Sequence, residues 1–224
     1  MKESQAREEI CRVGKSLFDR GYVHATAGNI SVRLDDAEGG GFLITPSDAC
    51  LGFLDSARLA RLDAAGIQVG GDRASKTIAL HLQIYQAALR FQPGTRCVIH
   101  THSTHCVALS LRGAQAELLP ALTPYFVMKV GRVPVIDYHP PGAVQAAEKV
   151  AQAIAAYGAA GRPVRAVMLA RLGPNVWHDS PAAAMATLEE LEETARLHLL
   201  GGAATEALGA AQIDDLRKTF GVVW

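Results

Sequence analysis

The chain carries no excess of charge of either sign. Lys plus Arg number 22 and Asp plus Glu number 22, for a formal net charge of +0. There is no run of five like charges, so nothing in the balance points to nucleic acid as a partner. No apolar run approaches the roughly 18 residues that a membrane span needs, so no membrane partner is expected. Cysteine is scarce. The 4 cysteines, Cys11, Cys50, Cys97 and Cys106, form no CxxC pair. A disulfide framework or a zinc ribbon is therefore not expected, and free thiols are. The stretch from Met1 to Glu9 is polar and mixed in charge, unlike a signal peptide. The expectation is a soluble cytoplasmic protein. Internal repeats and long linkers are also absent. With 224 residues, 49% of them hydrophobic, the chain suits one domain with a buried core.

Apolar spacing outlines the elements. Ile10, Val13, Leu17 and Phe18 predict a helix from Glu3 to Asp19, stopped by Gly21. Ile30 to Leu34 alternates as a half-buried strand does. Phe42 to Thr45 reads as its hairpin partner, across a turn with three consecutive glycines. Helices are predicted over Ile78 to Ala88, Val144 to Tyr157 and Ser180 to Leu200, the last with Ser180 as N-cap and Pro181 at the first helical position. Cys97 to His100, Val133 to Ile136 and Val164 to Leu169 read as strands, and Thr101 to Leu111 continues the first as strand and then helix. Residues 203–224 read as a terminal helix or tail. Helices and strands mix without strict repetition, which predicts a three-layer α/β or α+β domain.

Three features carry chemistry. His100-Thr101-His102 puts two imidazoles two residues apart. On a strand that spacing projects both from one face, where neutral imidazoles can share a zinc or similar ion. His105 points elsewhere if a helix starts there. Thr26-Ala27-Gly28-Asn29 is a loop of hydroxyl and amide side chains around a glycine, able to surround a phosphate. Ser47 after Pro46, and Ser75 beside Lys76, are similar donors. Lys76 adds a charge that phosphates and carboxylates seek. Each feature alone also fits an ordinary turn, a surface lysine or an incidental histidine.

Their order along the chain is more specific. The stretches "GYVHATAGNISVR", "FLITPSD", "ASKTIALHLQIY" and "CVIHTHSTHCVALS" resemble the class II aldolase/adducin family over about residues 7–200. The resemblance implies a single α/β domain, a three-layer α/β/α sandwich with a mostly antiparallel central sheet. It also implies a divalent metal, most readily Zn2+, a phosphorylated sugar or sugar-acid substrate, and a homotetramer with sites between subunits. His100 and His102 take two of the family's zinc positions. Asn29, Ser47 with Asp48, and Ser75 with Lys76 take the phosphate positions. The head of the chain, with "TPSDACLGFLD" and "TPYFVMKVGRVPVIDYH", looks most like family members that decarboxylate a 3-oxo-tetronate 4-phosphate.

Two positions depart from the pattern. The aldolases' acid/base glutamate is Thr77 here, and the third zinc histidine is Leu172, which cannot bind a metal. His139 and His178 are the nearest replacements in sequence, with His139 the tentative third ligand. Aldol chemistry needs a base at the reacting carbon. A β-keto acid does not, so Thr77 fits decarboxylation, with Lys76 as carboxylate partner, phosphate partner or proton donor. Asp48 and Lys76, of opposite charge, are placed to pair or to touch substrate. A sugar-phosphate aldolase or dehydratase, and a catalytically dead binding member, remain as alternatives.

Overall fold

Ile10, Val13 and Leu17 are buried along one side of helix α1, Glu3–Asp19, as their spacing predicts. Gly21 follows with φ at +73° and ends it, a conformation glycine adopts without steric cost. The computed structural model describes residues 1–113, 115–202 and 205–224. Eight strands form one sheet: β1 Asn29–Arg33, β2 Phe42–Ile44, β3 Ala60–Leu62, β4 Gln68–Gly70, β5 Cys97–His100, β6 Val135–Ile136, β7 Ala166–Leu169 and β8 Gly173–His178. Their order is β4-β3-β2-β1-β5-β8-β7-β6. Every pairing is antiparallel except β6 with β7.

The period of two sorts the side chains into two cores. Ile30, Val32, Leu43, Cys97, Ile99, Met168 and Val176 pack on one face, against α1, α3 (Thr104–Ser110) and α5 (Pro181–Gly201). Phe42, Ile44, Val98, Val167 and Trp177 pack on the other, against α2 (Ile78–Ala88) and α4 (Val144–Ala159). Trp177 is fully buried, and its indole N–H donates to Gln92 Oε1 at 3.0 Å. Truncating such a residue to alanine typically costs ~3–5 kcal/mol. The result is the expected three-layer α/β/α arrangement. The last helix, α6, spans Ala210–Phe220.

Ser180 caps α5 as its sequence suggests, accepting from the Ala183 N–H at 3.2 Å. Cys11, Cys50, Cys97 and Cys106 are all free thiols, the last two buried. Among the described residues, no helix is long and apolar enough to cross a membrane. Strands β3, β4 and β8 escape the sequence reading. The first two are three residues each, and β4 is exposed throughout. β8 opens on Gly173-Pro174, a pair that reads as a turn. Pro174 is tolerated there because its carbonyl, not an N–H, makes the bond to the Thr101 N–H at 3.2 Å. The expected strand through Thr101 stops at His100. The terminal helix begins later than residue 203, and residues 203 and 204 lie outside those described.

Candidate active site at the end of β5

Strand β5 ends at His100, on the sheet edge where β1 and β8 begin. His100 is in register with Asn29 on one side and Asn175 on the other. The close fit depends on two glycines. A Cβ on Gly28, at φ +83°, would lie 2.9 Å from the His100 carbonyl oxygen. One on Gly173, at φ +147°, would lie 1.9 Å from that of Thr101. Backbone therefore closes on both sides of the strand end, where a side chain would force it apart.

His100 and His102 lie side by side, with ring centres 5.1 Å apart and planes at 68°. His102 stands beyond the strand, in the turn leading to α3. The two rings meet as expected, but through that turn and not through strand periodicity alone. His100 Nδ1 sits 3.0 Å from the Pro174 carbonyl oxygen. That bond places the ring proton on Nδ1 and leaves Nε2 as the lone-pair nitrogen. Burial, with the neighbouring His102, lowers the His100 pKa to about 4. Burial and then His24 lower that of His102. Both imidazoles are thus kept neutral, the form that binds a metal. His24 is the third ring of this row, its centre 6.3 Å from that of His102. The sequence reading left it unassigned, because only the pairing of β1 with β5 brings its loop to His102.

Three residues before the first residue of α2, Ser75 is buried, and its backbone N–H donates to the Thr45 carbonyl at 3.2 Å. Its hydroxyl lies 3.3 Å from Thr77 Oγ1. The Asn29 side-chain N–H donates to the same oxygen at 3.1 Å. Asn29, Ser75 and Thr77 therefore meet, beside His100 and at the N-terminus of α2. There the positive end of the helix dipole favours an anion. Asn29 keeps one amide N–H uncommitted, and its Oδ1 is buried with no protein partner. Thr77 stands where the resemblance expects a carboxylate, so this corner of the site holds a hydroxyl and no negative charge.

Behind the site, His81 Nδ1 lies 2.8 Å from Ser31 Oγ, which is in turn 3.0 Å from the Tyr85 hydroxyl. Burial, with His100 adding, lowers the His81 pKa to about 3. Asn175, fully buried, leaves both side-chain polar atoms without a protein partner. It too was missed. A buried asparagine in register with a candidate ligand is legible only once β8 is known.

Other candidates lie apart from this cluster. Ser47 lies on the segment that follows β2, its backbone N–H donating to the Arg73 carbonyl at 2.8 Å. The Ser47 hydroxyl contacts Asp48 at 3.5 Å and accepts from Arg73 at 3.4 Å. Asp48 pairs with Arg73 at 3.8 Å, both side chains exposed. Of the two roles open to Asp48 and Lys76, mutual pairing is corrected, since Asp48 pairs with Arg73 instead. The bridge between Pro46 and Ala74 brings Arg73, not Lys76, opposite the turn. Lys76 is exposed beside Thr77, and Thr26 is exposed on the loop before β1. His105 faces away, its Nδ1 2.8 Å from the buried Glu192 carboxylate, which also accepts the His105 and Cys106 N–H groups. His178 is tied to Asp179 at 2.8 Å. His139 lies beyond β6, three strands from β5, and the structure gives it no contact with His100 or His102.

A divalent ion would find two suitable donors here. Neutral, oriented imidazoles are the donors such an ion takes, and His100 and His102 fit it. Among the described residues, no three of His, Cys, Asp and Glu stand ready to hold one ion together.

Comparison with known proteins identifies the family. The family profile described as "Class II Aldolase and Adducin N-terminal domain" matches residues 8–199. The chain is 48% identical over 229 aligned residues to a 3-oxo-tetronate 4-phosphate decarboxylase of Cupriavidus necator, covering 99% of both chains. It is 39% identical to the protein of that name from Escherichia coli K12, covering 96% of this chain and 97% of the other. Among solved structures, Escherichia coli YgbL superposes with a TM-score of 0.85 at 38% identity, over 96% of this chain and 99% of that one.

Proposed function

This chain belongs to the class II aldolase and adducin family, and on that premise we propose that it is a carboxy-lyase. Its substrate is a 3-oxo-tetronate 4-phosphate, and its products are dihydroxyacetone phosphate and carbon dioxide. Relatives bearing the name of that activity match nearly the whole chain. The observation that carries the reading is Thr77. It replaces the base an aldolase needs with a hydroxyl tied to Asn29 and Ser75.

A β-keto acid breaks its own carbon–carbon bond once the electron pair left behind has somewhere to go. Loss of carbon dioxide leaves that pair as an enediolate, and stabilising its negative charge is the catalytic task. Proteins of this family are in general divalent-metal dependent. His100 and His102 would hold the ion, with zinc the expected metal for imidazole ligands, and it would supply a Lewis acid for the developing negative charge. The phosphate is met by the free Asn29 N–H, the Ser75 hydroxyl, the α2 N-terminus, and Thr26 and Ser47 on the adjoining turns. Thr77 orients substrate without adding a negative charge beside the carboxylate. Lys76 reaches in from the rim to the carboxylate, the phosphate or the carbon awaiting its proton.

A cytoplasmic homotetramer with sites between subunits belongs to the same proposal. The direct test is the release of carbon dioxide and dihydroxyacetone phosphate from a 3-oxo-tetronate 4-phosphate by purified protein. Faster cleavage of fuculose 1-phosphate than decarboxylation would overturn the assignment.

A further inference from the structure

We propose that His24 is the third imidazole of the metal site, replacing from the loop before β1 the ligand that Leu172 cannot provide. The inference rests on reading His100 and His102 as metal ligands, and goes beyond it.

The argument is one of reach. Zinc–nitrogen bonds of about 2.0–2.1 Å set the ring centres of two imidazoles on one tetrahedral ion about 5 Å apart. The 5.1 Å between His100 and His102 meets that spacing. Two imidazoles on opposite sides of an ion have ring centres about 6.4 Å apart, which is the limit for sharing it. At 6.3 Å from His102, His24 stands just inside the limit. A closure of about 1 Å brings it to the tetrahedral spacing from His102, and the ring must also swing toward the His100 side to share the same ion.

That closure meets little resistance. The His24 side chain is exposed, and it makes no hydrogen bond or ion pair with a described residue. The loop behind it is anchored on both sides. Val23 is buried, and Gly28 packs against the His100 backbone. The ring can turn while its backbone stays at the site. The other histidines are engaged elsewhere or distant. His81 is held by Ser31, His105 by Glu192 and His178 by Asp179. His139 lies beyond β6, and His198 lies near the far end of α5.

The test measures metal affinity, not turnover. Full-length protein stripped of metal is titrated with Zn2+ against a chromophoric chelator, and with Co2+ by visible absorption. We expect one ion per wild-type chain. His24→Ala should bind at least ~10-fold more weakly and change the cobalt spectrum, with an unaltered melting temperature for the metal-free protein. The double variant His24→Ala/Leu172→His should recover affinity, which loss of mere loop packing would not allow. Wild-type affinity in His24→Ala, or a loss that appears in His139→Ala instead, would overturn the assignment. A wild-type chain that takes up no ion would overturn the assignment together with the metal reading beneath it. Decarboxylation assayed separately tells that failure from a failure of the proposed reaction.

Discussion

The Asn29 amide donates to Thr77 Oγ1 across 3.1 Å, joining residues 48 apart in sequence. This bond couples the start of β1 to the start of α2, the two segments proposed to hold the phosphate. Asn29→Ala should therefore weaken binding of the phosphorylated substrate by ~1–3 kcal/mol, the usual effect of losing a hydrogen bond to a charged group. A titration of inorganic phosphate as competitor, beside the Michaelis constant, checks it. An unchanged constant would remove Asn29 from the anion site.

Restoring a carboxylate at the neighbouring position is a sharper probe of reaction type. Thr77→Glu should lower decarboxylation, because it sets a negative charge beside the substrate carboxylate and the forming enediolate. Like charges in a partly dry site repel strongly. The variant also breaks the contacts of Thr77 with Asn29 and Ser75. Carbon dioxide release by the variant is the measurement, and a gain in rate would contradict the mechanism.

Lys76 is exposed and carries no ion pair with a described residue, so its charge is available to an incoming anion. Lys76→Met should cut kcat/KM by ~10-fold or more, equivalent to ~1.4 kcal/mol or more at the transition state. A charge acting on an anion from an exposed position also predicts a rate that falls as salt is added. Full activity in Lys76→Met would remove the lysine from the mechanism and leave the rest standing.

How far the sequence alone reaches depends on what kind of contact carries each feature. The bounds of α1 and α2 follow from apolar spacing, since each buries a stripe of its own residues, and β5 from a short β-favouring run buried on both faces. β8 was hidden because its Gly-Pro start looks like a turn, and only its pairing with β5 and β7 makes it a strand. The nearness of His100 and His102 was legible from two residues of spacing. The meeting of Asn29, Ser75 and Thr77 was partly legible, through resemblance. The approach of His24 to His102 was not, since it depends on β1 and β5 lying side by side. Arg73 opposite Asp48 likewise follows from a bridge that no local pattern announces.

The buried histidine behind the site makes a prediction about acid. Folding lowers the His81 pKa from the ordinary 6.5 to about 3, chiefly through burial. Between those values the unfolded chain holds a proton at this residue that the folded chain does not. Stability therefore rises with pH across the window, and it is lost as the pH falls below about 6.5. One such proton corresponds to a slope of ~1.4 kcal/mol per pH unit. His100, lowered to about 4, adds to it over most of the same range. Urea unfolding of the metal-free protein at pH 7, 6 and 5 should show the midpoint falling on acidification. In His81→Gln the slope should drop by about one proton, because glutamine does not titrate, even though losing the bond to Ser31 lowers stability at every pH. A slope unchanged in that variant would mean that His81 takes up its proton equally in both states. The buried pair of Ser31 and His81 would then not be the origin of the acid sensitivity.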